Sequence, residues 1–277
     1  MFEKELIPHN SIDDTFERLK AANDTGLIVY LTVGFPDIDA TVDLVLMLAD
    51  AGVDIVELGV PFSDPLADGI TIQKSNFHAL EHGVSMAMCL EVVESVKKQV
   101  PKLPLVLMGY YNPVLTYGLS RFVGTASEVG ADGTIIVDLP SEEAQPLKSA
   151  CLAHALHLIP LLAPTSTDVR IRDACEQASG FIYCVNVTGV TGSRQNVPNS
   201  ALALLERVRT KTNLPLAAGF GVSTAEHVRT LGRSAQAVVV GSEFIKLIDQ
   251  TDPKNRMSAV NEFVSRIKGS ATQREAS

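Results

Sequence analysis

Eight short apolar runs, each followed by a segment of helical spacing, dominate the chain. The runs are Leu27–Val33, the run opening at Ile55, Leu105–Met108, Gly133–Asp138, Leu156–Leu161, Phe181–Val185, Pro215–Gly221 and Ala237–Ser242. Helical spacing is read over Ile38–Ala51, Thr71–His82 with Met86–Gln99, Leu119–Val129, Glu142–Ala155, Thr167–Ala178, Ala201–Thr210 and Thr224–Leu231. A last long helix, Glu243–Lys268, is interrupted near Asp252-Pro253. An opening helix, Ser11–Ala22, carries Ile12, Phe16 and Leu19 on one face, with Ser11 as its expected N-cap. Near-continuous Val/Ile/Leu strands alternating with helices require a parallel sheet covered on both faces. Eight such units are what a closed barrel needs. A doubly wound open sheet would show a Gly-rich dinucleotide turn after its first strand, and Gly34-Phe35-Pro36-Asp37 lacks that spacing. The expected architecture is α/β: a single (β/α)8 (TIM) barrel domain over residues 1–268 with an extra N-terminal helix. The polar tail 269–277 is expected to be disordered.

Charge and cysteine usage narrow the function classes. A net charge of −9 disfavours a nucleic-acid or anionic-membrane surface. Cys89, Cys151, Cys175 and Cys184 form no C-x-x-C pair and no zinc spacing with the histidines. The N-terminus lacks the pattern of a secretory signal, and no apolar stretch is long enough to span a membrane. A cytoplasmic protein is expected.

In such a barrel, function gathers at the C-terminal ends of the strands. Glu57 lies inside the second apolar run, read as its end, between Val56 and Leu58. A carboxylate there carries a burial cost or a raised pKa. It is either a general acid/base, or a partner in a buried ion pair or a cap for a backbone group. A loop stiffened by Pro61 and Pro65 then carries Asp64 and Asp68. Tyr110 and Asn112 follow the third run, and Asp138 ends the fourth; packing and turn roles are the alternatives for these. Gly-containing loops follow the last three runs: Thr188–Arg194, Gly219–Ser223 and Gly241-Ser242. Backbone N–H groups approach an anion closely at glycines, and a helix start adds its positive dipole end. A phosphate site is expected there, with ordinary turn chemistry as the alternative. No strand ends in a lysine placed for a Schiff base. What remains is carboxylate-driven proton transfer on a phosphorylated small molecule.

The run Glu57–Gly69, with Leu107–Pro113, Gly189–Gly192 and Gly219–Gly221 in the same order, resembles the tryptophan synthase alpha chain family over nearly the whole chain. The resemblance implies retro-aldol cleavage of indole-3-glycerol phosphate to indole and glyceraldehyde 3-phosphate. It implies Glu57 as the acid/base and Asp68 as the group that stabilises charge at the indole N–H. It implies Tyr110 and Tyr183 as walls of the indole pocket, and Thr191 on a mobile sixth loop as a partner of Asp68. Gly192, Gly221, Gly241 and Ser242 are implied to hold the phosphate. It further implies an α2β2 assembly with a beta chain that carries pyridoxal phosphate, and no cofactor in this chain. A monofunctional lyase releasing free indole is the other form that the same residues would serve. Two positions depart from the family pattern: Ile70, where proline is usual, and Asn186, where serine is usual.

Overall fold

The structure, a computed structural model, describes residues 9–186 and 197–269. Its parallel ladder has nine segments: β1 (Gly26–Thr32), β2 (Ile55–Gly59), β3 (Leu105–Gly109), β4 (Gly133–Ile136), β5 (His157–Leu158), β6 (Leu161–Leu162), β7 (Ile182–Val185), β8 (Leu216–Gly219) and β9 (Ala237–Val240). The ladder runs β5-β4-β3-β2-β1-β9-β8-β7-β6. Its two ends, β5 and β6, are halves of a single chain passage joined by Ile159-Pro160. Proline has no N–H to give to a ladder, so the passage is split there. It still bonds on both sides: Ile159 N donates to Thr134 O at 3.0 Å, and Pro160 O accepts from Tyr183 N at 3.1 Å. The ring therefore closes, and the eight passages of the expected barrel are present.

Among the described residues the helices are α1 (Ser11–Ala22), α2 (Ile38–Asp50), α3 (Ile70–Glu81), α4 (Met86–Gln99), α5 (Tyr111–Tyr117), α6 (Leu119–Glu128), α7 (Gln145–Ala153), α8 (Asp168–Gln177), α9 (Asn199–Arg209), α10 (Ala225–Gly232), α11 (Ser242–Gln250) and α12 (Arg256–Lys268). Three details depart from expectation. The N-cap of α1 is Asn10, not Ser11, and it forms a reciprocal capping box with Asp13. The helix expected over 142–155 begins instead as a 3-10 turn, Ser141–Glu143, before Pro146 takes the first turn of α7. The short helix α5 occupies a segment to which the sequence pattern assigns no element, between the third run and the helix at Leu119.

The core has two layers. Leu27, Val29, Leu31, Val56 and Leu58 face the helices in the larger one. Alternate residues, among them Ile28, Ile55, Val106, Ile135 and Val239, fill the barrel interior with Ile12, Phe16 and Leu19 of α1. The extra helix thus plugs the N-terminal end, where Phe16 and Phe181 rings lie 5.5 Å apart. A polar collar surrounds that plug. Asp54 accepts from Leu27 N at 2.8 Å and Asp132 from Leu105 N at 2.8 Å. Gln236 Oε1 accepts from Leu216 N at 2.9 Å. The two carboxylates are buried but paired: Asp54 with Arg18 and Lys268, Asp132 with Lys97 at 2.7 Å. His157, fully buried, meets Asp13 at 2.8 Å. With the N-terminal end sealed, the opposite end is left for function.

Candidate active site

Glu57 sits at the centre of β2, in register with Tyr30 on β1 and Val106 on β3. It shares the inward parity of Ile55, so the strand aims it into the barrel rather than at the helices. It is 0% exposed, and neither carboxylate oxygen has a hydrogen-bond partner among the described residues. That disposes of the ion-pair alternative within those residues. Burial alone pushes its carboxyl up to about 8. Glu57 therefore holds its proton at neutral pH, as a general acid must.

Two tyrosines share this interior. Tyr30 and Tyr183 are buried, and desolvation together with the nearby Asp68 and Glu57 carboxyls raises both hydroxyl pKa values. Glycines on the adjoining strands make room for the rings. A Cβ on Gly59 would overlap the Tyr30 hydroxyl, and one on Gly219 would stand 2.6 Å from the Tyr183 ring. The Tyr30 hydroxyl lies 3.3 Å from Thr32 Oγ1, which is 2.6 Å from Ser75 Oγ on α3.

Asp68 ends the loop between β2 and α3 and is half-buried. Burial pushes its carboxyl up to about 6, offset by hydrogen bonds from Tyr110 and Asn76. Tyr110 ties the loop down: its hydroxyl, beside the Asp68 carboxyl, accepts from Ala67 N at 3.0 Å. The Phe62 and Tyr110 rings lie 5.0 Å apart. Gln73 Nε2 donates to Asp68 O at 2.9 Å. Asp64, by contrast, is exposed and accepts from its neighbour Ser63. Asp138 accepts from Tyr111 N at 2.8 Å, which makes it a support for the start of α5.

A cavity of about 610 Å³, open to solvent, lies over the C-terminal ends of the strands. Tyr183, Gly221, Gly241 and Ser242 line it, as do Tyr30 and Met108. Gly221 has φ +72, and a Cβ there would meet nothing within 4 Å among the described residues, so on that side its backbone is open to a ligand. Gly241 is the N-cap of α11 and Ser242 its first residue. Among the described residues no side chain caps this first turn, whose N–H groups are left for an anion at this wall. The cavity thus has a polar, glycine-lined end and an end walled by tyrosine and methionine.

A family model described as the tryptophan synthase alpha chain matches residues 16–272. The chain belongs to the tryptophan synthase alpha chain family. Members of this family cleave indole-3-glycerol phosphate to indole and glyceraldehyde 3-phosphate. The tryptophan synthase alpha chain of Roseiflexus castenholzii is 48% identical over 258 residues, covering 93% of this chain and 99% of that one. The tryptophan synthase of Saccharomyces cerevisiae is 43% identical over 258 residues, which cover 93% of this chain and 36% of that protein. Among solved structures, tryptophan synthase of Mycobacterium tuberculosis superposes with a TM-score of 0.88 at 32% identity, covering 96% and 99% of the two chains. Subunit alpha from Legionella pneumophila gives 0.87 at 35% identity, covering 95% and 98%.

Of the residues that resemblance to the tryptophan synthase alpha chain family singles out, Tyr183, Gly221, Gly241 and Ser242 meet in one cavity. Asp68 lies within electrostatic reach of Tyr110, and Glu57 within reach of Tyr183. Thr191 and Gly192 lie outside the described residues. Ile70 is the first residue of α3, with an exposed side chain. Sequence reasoning passed over Tyr30, Met108 and Asn76. A period-two count along β1 would have found the first, since Ile28, Tyr30 and Thr32 alternate inward.

Proposed function

We propose that this chain cleaves indole-3-glycerol phosphate in the cavity above β7, β8 and β9, with Glu57 as acid/base and Asp68 as the stabiliser of the indole N–H. The observation that carries this reading is that buried Glu57, without a partner among the described residues, and Asp68 both stand close enough to Tyr30 and Tyr183, which line this cavity, to raise their hydroxyl pKa values. The phosphate rests on the backbone of Gly221, Gly241 and Ser242. The ring lies toward Tyr183 and Tyr110. Glu57 gives its proton to the ring carbon that bears the glycerol chain, and the resulting positive charge at the ring nitrogen faces ionised Asp68. The Glu57 carboxylate then takes the proton of the adjacent hydroxyl. The carbon–carbon bond breaks, its electron pair returns to the ring, and indole and the aldehyde leave with Glu57 protonated again.

These steps are proton transfers by side chains, and the pyridoxal phosphate of the assembly belongs to the beta chain. The beta chain docks, in this reading, on the face around Leu66 (90% exposed), Ile70 and Leu115 (54% exposed), beside Phe62, Asn112 and Pro113. Four buried free cysteines suit a cytoplasmic setting; among the described residues no helix is long and apolar enough to cross a membrane. The test is release of indole from indole-3-glycerol phosphate, with and without the beta chain. Activity that rises strongly on adding the beta chain supports a synthase subunit. Full activity alone marks a monofunctional lyase, and none in either mixture refutes the assignment.

A further inference from the structure

Asn76 stands in α3, two turns beyond the loop that carries Asp68. It is 2% exposed, and its Nδ2 lies 3.2 Å from Asp68 Oδ2. An ionised carboxylate only accepts hydrogen bonds, so the amide must turn its NH2 toward it. That orientation leaves Asn76 Oδ1 buried with no donor among the described residues. A buried carbonyl without a partner costs stability, and an apolar side chain of similar shape avoids that cost. The amide therefore serves Asp68, not the packing around it.

The helix that presents Asn76 is itself fixed to the barrel. Ser75 Oγ donates to Ile72 O at 2.8 Å, which uses its single proton. Thr32 Oγ1, 2.6 Å away, must then donate to Ser75, and this locks α3 to β1. Gln73 holds the Asp68 carbonyl at 2.9 Å. Successive turns of one helix thus hold both the backbone and the carboxylate of Asp68.

We propose that Asn76 is a positioning residue for the cleavage reaction: it orients the Asp68 carboxylate toward the ring nitrogen of the substrate and keeps it ionised there. The proposal rests on the role assigned to Asp68 above. The bond from Asn76 also opposes the effect of burial on the Asp68 carboxyl, so its removal lets Asp68 take up a proton at higher pH.

The test uses the full chain with the beta chain, and the variants Asn76→Leu, Asp68→Asn and their double. Asn76→Leu should lower kcat at pH 7 by roughly tenfold or more, the scale of a lost bond to a charged group. The acid limb of its pH–rate profile should move to higher pH, while the affinity for glyceraldehyde 3-phosphate and the melting temperature are retained. In the Asp68→Asn background the same change should cost nothing further. An unmoved acid limb, or an equal loss in the Asp68→Asn background, overturns the proposal. If Asn76→Leu fails to fold, Asn76→Ser, too short to reach Asp68, replaces it with the same expectations. An Asp68→Asn enzyme that keeps nearly full kcat would instead overturn the role of Asp68 itself.

Discussion

Glu57→Gln should abolish turnover and make the protein more stable, by an amount that grows with pH. Burial raises the Glu57 carboxyl from 4.5 to about 8. Between those values the unfolded chain has lost this proton while the folded chain keeps it. Folding stability therefore falls as pH rises, by about 1.4 kcal/mol for each pH unit. At pH 7 the accumulated cost is about 3 kcal/mol, and above pH 8 it levels off near about 5 kcal/mol. Glutamine has the same shape, is never charged, and carries no such cost. The variant should match the wild type near pH 4.5 and exceed it by about 3 kcal/mol at pH 7. Urea unfolding followed by far-ultraviolet circular dichroism at several pH values measures this, since the chain has no tryptophan to report on its own unfolding. A difference between variant and wild type that stays flat from pH 5 to 8 would refute the dry, unpartnered carboxyl on which the acid/base assignment stands.

Activity itself should follow a bell. Protonated Glu57 and ionised Asp68 are both needed, so kcat/KM should be highest between about 6 and 8 and fall roughly tenfold per unit beyond either limb; a single limb would show that one carboxyl is not used. Gly219→Ala would drive a Cβ to 2.6 Å from the Tyr183 ring, so kcat should fall at least roughly tenfold while the circular dichroism spectrum stays native. Gly221→Ala meets no neighbour among the described residues but forces alanine to φ +72, a strain of about 1–2 kcal/mol. Its KM should rise several-fold with kcat largely retained, as measured by initial rates.

Much of the fold was legible because the apolar runs are long and the helices between them periodic. Where the pattern failed, a backbone group was responsible. Pro160 divides one passage into two ladder segments, and no hydropathy pattern records a missing N–H. Tyr111–Tyr117 is short and holds Pro113 near its start, where proline is tolerated, so its pattern announced no helix. The site was legible where residue type alone limits the chemistry. A glutamate between Val56 and Leu58 is costly anywhere in a core, and glycines at the strand ends point to an anion. Asn76 was not legible, because an asparagine within a helix reads as a surface residue until the turn before it is known to fold back. Tyr30 hid for a similar reason: its ring is accommodated by Gly59, which lies on another strand.

The polar collar at the closed end has a consequence for how the barrel is divided. Asp54, Asp132 and Gln236 each precede the second strand of a consecutive pair, and each binds a backbone N–H at the start of the first. Their own N–H groups return the bond, to Leu27, Leu105 and Leu216 O at 3.0, 2.9 and 2.8 Å. In the remaining pair the matching position is Gly180, packed against the His157 ring. The ring is thus four two-strand staves, three of them clasped at the foot by a side chain of their own. Seams between staves, such as the stretch after β4, interrupt no clasp. A circularly permuted chain opened there keeps every one, whereas a chain opened between β1 and β2 separates the two ends of a clasp and must rebuild it across a break.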